Sequence, residues 1–135
     1  MPRALDDALV DILEAIDRTE AYAAGRSFGD LQSNPMLNDA LERCIERVSE
    51  AVSQHIPDEI KGRYPGVPWP QIRAIGNRLR HGYFGVDPRI IWDTATVDLP
   101  ALRATIVDIQ QRHVSGLASA APRPTGAGTG QDGEE

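Results

Sequence analysis

Apolar residues recur along this chain at spacings of three and four, and no stretch alternates convincingly with period two. Leu5, Leu9, Ile12 and Ile16, widened by Ala8 and Leu13, predict an amphipathic helix over residues 4–24. Asp6 and Asp7 suit the positive end of its dipole, and Gly25 closes it. Leu37, Leu41, Cys44, Val48, Ala51, Val52 and Ile56 predict a second helix over residues 35–56. Asn34 is its expected N-cap, Pro35 its first position and Pro57 its stop. Trp69, Ile72, Ile75 and Leu79 fall within roughly 120° of one another at ~100° per residue, which predicts a third helix over 69–81, ended by Gly82. Asp87 and Pro88 repeat the cap-plus-proline start. Ile90, Ile91 and Trp92 are expected to enter the core. Leu99, Leu102, Ile106 and Ile109 carry the stripe on to about residue 114, with Asp98 as the cap of a helix restarted or bent at Pro100. The pattern predicts an all-α protein, a bundle of four or five helices with no β-sheet.

The connections are read from their breakers. Residues 25–34, with two glycines and a Ser-Asn pair, read as a loop that Phe28 and Leu31 pin to the bundle. Residues 57–68 hold three prolines and two glycines, which leaves little room for a helix. From Gly116 the chain turns to Gly, Ala, Ser, Thr and Pro with an acidic end. Residues 1–115 are therefore expected to form the helical domain and residues 116–135 a disordered tail.

Composition narrows the picture. A chain of 135 residues suggests one domain, and 5% aromatic residues make its core aliphatic. The single cysteine, Cys44, excludes an internal disulfide and a cysteine-based zinc site, and its place in an apolar stripe reads as a small buried hydrophobe. No apolar run approaches the ~20 residues that span a membrane, and the start M-P-R-A-L-D-D has no apolar signal segment, so a cytoplasmic protein without membrane contact is expected.

Charge singles out one stretch. Between Trp69 and Trp92 stand Arg73, Arg78, Arg80 and Arg89 against the single Asp87, a net +3 within a chain of net charge −6. A basic island in an acidic protein points to an anionic ligand. Arg73, Asn77, Arg80 and His81 lie across the helix from the apolar stripe, with Asn77 and His81 one turn apart. Lys61 and Arg63 are candidates for extending the basic face. His55 and His113 read as surface or structural, His113 at a helix end where the dipole favours a cation. Two readings of His81 stay open on the residues alone. It transfers protons beside arginines that hold a phosphate, or it packs at a helix terminus while the arginines pair with surface acids.

The run P-W-P-Q-I-R-A-I-G-N-R-L-R-H-G-Y-F-G-V-D-P-R-I-I-W, followed by D-L-P-A-L, resembles the HepT-like branch of the HEPN ribonuclease superfamily. The likeness spans roughly residues 5–115 and is specific over 67–100. It implies a helical bundle that forms a homodimer and cuts RNA without a cofactor. The family signature is an arginine, usually followed by a polar residue, then a histidine, with a tyrosine two residues after it. His81, Tyr83 and the polar Asn77 match; the usual place of the first arginine is Gly76. On these residues His81, with Arg78 and Asn77, is expected to carry catalysis, and Arg73 and Arg80 to bind the RNA phosphate, while the resemblance implies an AMP-acceptor role for Tyr83. It also implies a toxin whose antitoxin partner is a minimal nucleotidyltransferase that transfers AMP to that tyrosine. The alternative is a non-catalytic helical module that only pairs with such a nucleotidyltransferase, and the glycine at position 76 is the feature that favours it.

Overall fold

The computed structural model describes residues 2–82 and 85–114, with side chains placed over 4–82 and 85–113. Its regular structure is helical, with no strand among those residues, as the apolar spacing predicts. In chain order it comprises α1 (Pro2–Ala23), α2 (Phe28–Ser33), α3 (Pro35–His55), α4 (Asp58–Lys61), α5 (Trp69–His81) and α6 (Pro88–Asp93). A π-helical turn (Thr94–Asp98), α7 (Leu99–Ile109) and a second π-helical turn (Gln110–Val114) complete it. The expected tail at 116–135 lies outside the described residues.

The caps fall where the sequence places them. Asn34 accepts a hydrogen bond from the Leu37 amide at 3.1 Å and Asp87 one from the Arg89 amide at 2.9 Å, each followed by proline inside the helix. Gly82 closes α5 in the left-handed conformation, φ 59°, and its amide donates to the Arg78 carbonyl at 2.9 Å.

Four expectations are corrected. Residues 25–34 are not all loop: Ser27 Oγ accepts from the Asp30 amide and Asp30 Oδ2 accepts from the Ser27 amide, a reciprocal capping box that starts α2. The crossover at 57–68 also finds room for a helix. The Pro57 carbonyl accepts from the Ile60 and Lys61 amides, and burial of Ile60 holds the turn of α4 in place. Asp98 caps nothing. Its backbone stays right-handed helical, and the rod from Pro88 onward passes through a π-turn just before Pro100, where a wider turn relieves the clash and lost donor of the proline ring. Finally, Ile91 is fully buried and Trp92 half-buried, but Ile90 is exposed on the groove described below.

The core is the seam between α1, α3 and α7. Leu9, Ile12 and Ile16 meet Leu41, Ile45, Val48 and Val52, with Ile106 and Ile109 closing the third side, all at most 1% exposed. Cys44 is buried within the α3 stripe, as its neighbours predict. Arg103 of α7 reaches Asp17 at 2.5 Å and Glu20 at 2.9 Å on α1, which locks these two helices at their polar edge. Helix α5 lies on the outer side of α3. Its apolar residues Trp69, Ile72, Ile75 and Leu79 are only partly buried, and the residue of α5 that α3 covers is Gly76.

Candidate functional site

Helix α5 is placed by its first residue and its middle. The Trp69 Nε1 donates to the carbonyls of Lys61 and Tyr64, both at 3.1 Å, which ties the start of α5 to the end of the crossover. At the middle, a Cβ built on Gly76 would stand 1.9 Å from Ser49 Oγ and 2.4 Å from Ser49 Cβ. No side chain fits there unless α5 moves, so glycine sets how closely α5 approaches α3. The Ser49 and Ser53 hydroxyls of α3 are buried and find no hydrogen-bond partner among the described residues. Small side chains are needed on that surface, and the unpaired hydroxyls are the cost of that closeness.

With Gly76 facing α3, the polar face is fixed by the helical period. Arg80, Arg73, Asn77 and His81 follow one another around an arc of roughly 100°, and all four are exposed. Arg80 does not extend into solvent. Its guanidinium folds back one turn, where Nη2 donates to Asn77 Oδ1 and Nη1 lies 3.5 Å from the Cβ position of Gly76. Among the described residues the ion pairs engage Arg43, Arg63, Arg89, Arg103 and Arg112, and none engages Arg73, Arg78 or Arg80. The reading in which these arginines pair with surface acids therefore does not describe this face. His81 is the last residue of α5, and Tyr83, two residues on, lies outside the described residues.

Arg78 and Arg89 part company with that face. Arg89 stacks over Phe28, 3.9 Å from the ring centre, and pairs with Asp93 at 3.8 Å, so its charge is spent on holding α6 to α2. Arg78 lies round the helix from Arg80, on a groove of about 630 Å³. Ile72, Ile75 and Arg78 form one wall of this groove and Ile90, Asp98 and Leu102 the other, above Ile45 and Val48. It is mostly apolar, and the half-buried stripe of α5 opens into it. Burial, together with the neighbouring Asp93, pushes the Asp98 carboxyl above its ordinary range.

A second cluster has no counterpart in the sequence pattern. The Tyr64 hydroxyl donates to Asp108 Oδ2 at 2.6 Å, Arg112 Nε donates to the same carboxylate at 3.0 Å, and Arg63 Nη1 faces His113 Nδ1 at 3.2 Å. Burial and the hydrogen bond to Asp108 push the Tyr64 phenol up to about 12. The same hydrogen bond and Arg112 hold Asp108 below the usual carboxylate range. Burial and the Arg63 guanidinium lower His113, so the imidazole expected as a cation at the helix end is instead held toward its neutral form. Arg63 is thus engaged here, with Glu59 at 3.7 Å, rather than on the polar face of α5. The contacts join residues 44 and 50 positions apart, and no local spacing announces them. Among the described residues, no group of three or more His, Cys, Asp or Glu is placed to hold a metal ion.

Comparison with known proteins adds to this geometry. Residues 12–109 match the family described as "Ribonuclease HepT-like". The chain is 36% identical over 103 residues to a Thermococcus cleftensis protein named "Probable ribonuclease HepT", covering 76% of this chain and 93% of that one. It is 38% identical over 105 residues to a protein of Caldanaerobacter subterraneus subsp. tengcongensis named as a candidate RNase, covering 78% and 93%. It is also 33% identical over 95 residues to a Methanocaldococcus jannaschii protein so named, covering 70% and 78%. No solved structure matches the chain.

Proposed function

This chain belongs to the HepT-like ribonuclease family, and on that premise we propose that it is an endoribonuclease whose site is the polar face of α5. The observation that carries the reading is that Arg73, Asn77, Arg80 and His81 are exposed together on one arc, with the arginines unengaged by acids among the described residues. RNA offers its own nucleophile, so the cut needs no metal. The 2′-hydroxyl attacks the adjacent phosphorus, a base takes its proton, and an acid protonates the departing 5′-oxygen as the P–O bond breaks. His81 serves as base or acid. Arg78 and Arg80, with Arg73, hold the phosphate and offset the charge that grows on it, and Asn77 orients the group it bonds.

One chain brings one histidine to this face, and two proton transfers are required. A homodimer supplies the second: a twofold axis near α5 brings His81 and its mate to one cleft. The half-buried apolar stripe of α5 and the open groove beside it support such a partner, because they leave apolar surface that the monomer does not cover. The same reading makes the protein a toxin in the cytoplasm, neutralised when a minimal nucleotidyltransferase transfers AMP to the Tyr83 oxygen. The added phosphate would place bulk and negative charge beside the residues that must receive an RNA phosphate. No helix among the described residues is long and apolar enough to cross a membrane.

The test is His81→Ala. It should cut RNA cleavage by ~10²–10⁴ while leaving helicity and dimer intact, since His81 lies on the exposed face. Tyr83→Phe should still cleave but escape neutralisation by the nucleotidyltransferase. Full activity in His81→Ala would move the site elsewhere. A wild type that binds the nucleotidyltransferase and never cleaves RNA would leave the non-catalytic binding module as the function.

A further inference from the structure

We propose that Arg80, folded over Gly76 and held by Asn77, is the arginine that grips the scissile phosphate, and that Asn77 acts as its positioning residue. This rests on the ribonuclease reading above and divides the labour among groups that reading leaves equivalent. Arg73, Arg78 and Arg80 share one short helix, but their surroundings differ. Arg78 stands on the groove side. Among the described residues, no hydrogen bond holds the guanidinium of Arg73. Only Arg80 is fixed, through Nη2 donating to Asn77 Oδ1, with Nη1 3.5 Å from the Cβ position of Gly76.

That geometry explains why a glycine stands at position 76. On one side it lets Ser49 in, and on the other it leaves the helix surface bare beneath the guanidinium. A longer side chain there would take the space that Arg80 occupies. A guanidinium is therefore delivered to the 76–77 turn from one turn later in the chain, without a side chain at 76. Arginine has five donors, and the bond to Asn77 uses one. Held this way, the side chain has already lost much of the rotamer freedom that a free arginine loses when it binds, so more of the contact energy appears as grip. His81 adjoins it in sequence and lies one turn from Asn77 on the same arc, which puts a proton-transfer group beside the clamp.

The experiment is a double-mutant cycle on Asn77 and Arg80, read in two assays. One is cleavage of a short single-stranded RNA. The other is binding of the same sequence as a 2′-O-methyl oligonucleotide, which cannot supply the nucleophile. Arg80→Ala should lower kcat by ~10²–10³, and Arg80→Lys should recover little of it, because an ammonium lacks the planar fork. Asn77→Ala should cost about tenfold in the wild-type background and nothing further beside Arg80→Ala, as a residue that acts only through Arg80 must. Added guanidinium ion should restore part of the activity of Arg80→Ala, and less when Asn77 is also alanine. Arg78→Ala should weaken binding, flatten its salt dependence and lower kcat by less than Arg80→Ala does. Additive effects of Asn77→Ala and Arg80→Ala, or equal losses in kcat from Arg78→Ala and Arg80→Ala, would overturn the proposal. If the wild type binds the oligonucleotide but never cleaves RNA, the ribonuclease reading fails, and non-additivity in binding still decides the roles of Arg80 and Asn77. If neither variant alters binding, the clamp itself is wrong. Circular dichroism melts of each variant separate these outcomes from a loss of folding.

Discussion

Ser49 of α3 fills the space that any side chain at Gly76 of α5 would need, its Oγ standing 1.9 Å from the Cβ position there. The contact fixes the separation of the two helices and, through it, the tilt of the face that carries Asn77, Arg80 and His81. Gly76→Ala should therefore destabilise the protein although alanine favours helix. The propensity gain of up to ~1 kcal/mol opposes an overpacking cost whose upper end, ~3 kcal/mol, suits so close a contact, for a net loss of about 2 kcal/mol and several degrees in Tm. Adding Ser49→Gly should return part of the loss, because it removes both the Cβ and the Oγ that clash. A thermal melt in which Gly76→Ala matches the wild type would show that this contact does not set the helix separation.

Much of this arrangement is legible before any coordinates, and the reason is periodicity. The stripe Leu37, Leu41, Val48, Val52 needs only a helix to lie on one side, and all four are buried as predicted. Caps are equally local, so Asn34 and Asp87 are readable from one dipeptide each. What stays hidden depends on two segments at once. Gly76 looks like a weak point in a helix until Ser49 is seen against it. The helical period separates Arg78 from Arg80, but the groove beside one and the Asn77 contact of the other are seen only in the fold. The Ser27–Asp30 capping box was readable by spacing but is outvoted by the glycines around it. The π-turn before Pro100 has no sequence mark beyond the proline itself.

The Tyr64–Asp108 bond predicts a late-titrating tyrosine. Tyr64 ionises at about 12, raised first by burial and next by its 2.6 Å hydrogen bond. Because the folded state holds this proton more tightly than the unfolded chain, the bond's contribution is present below the ordinary range of tyrosine. It is lost as pH rises through about 12. Phenolate absorbance followed against pH should show an ionisation step near 12, and Tyr64→Phe should remove that step. The same substitution should lower stability by about 1 kcal/mol at neutral pH. It should also let the Asp108 carboxyl rise toward its ordinary value, since the Tyr64 hydrogen bond is the first cause of its lowering.

His113 titrates in the opposite sense. It faces Arg63 from the α4–α5 connection, Glu59 from α4, and Asp108 and Arg112 from its own rod, with burial and the arginines outweighing the acids. A histidine whose folded pKa is depressed favours the fold above the ordinary imidazole range and loses that contribution as pH falls. Proton NMR of the three imidazoles should find His113 titrating below its ordinary value. Melting temperatures at pH 7 and pH 5 should differ less for His113→Gln than for the wild type. An unshifted His113 resonance would mean that Arg63 does not face it in solution.

The groove beside α5 ties assembly to activity. Ile75 and Ile90 both line it, Ile90 39% exposed and Ile75 half-buried against the edge of the core. A carboxylate at position 75 would keep part of its hydration in the monomer, through the open side of the groove, but would be stranded in an apolar interface between two copies. Ile75→Glu should therefore leave helicity and Tm within a few degrees of the wild type while shifting sedimentation from dimer to monomer. If two His81 side chains share one cleft, cleavage should fall with the dimer fraction and recover as protein concentration rises. Heterodimers supply the control. Mixing wild type with excess His81→Ala, whose own interface is intact, should trap each wild-type chain beside an inactive mate and suppress cleavage beyond simple dilution. A monomeric Ile75→Glu with full activity, or a mixture whose rate follows the wild-type fraction alone, would place the whole reaction within one chain. The second proton transfer would then have to come from a group other than the partner's histidine.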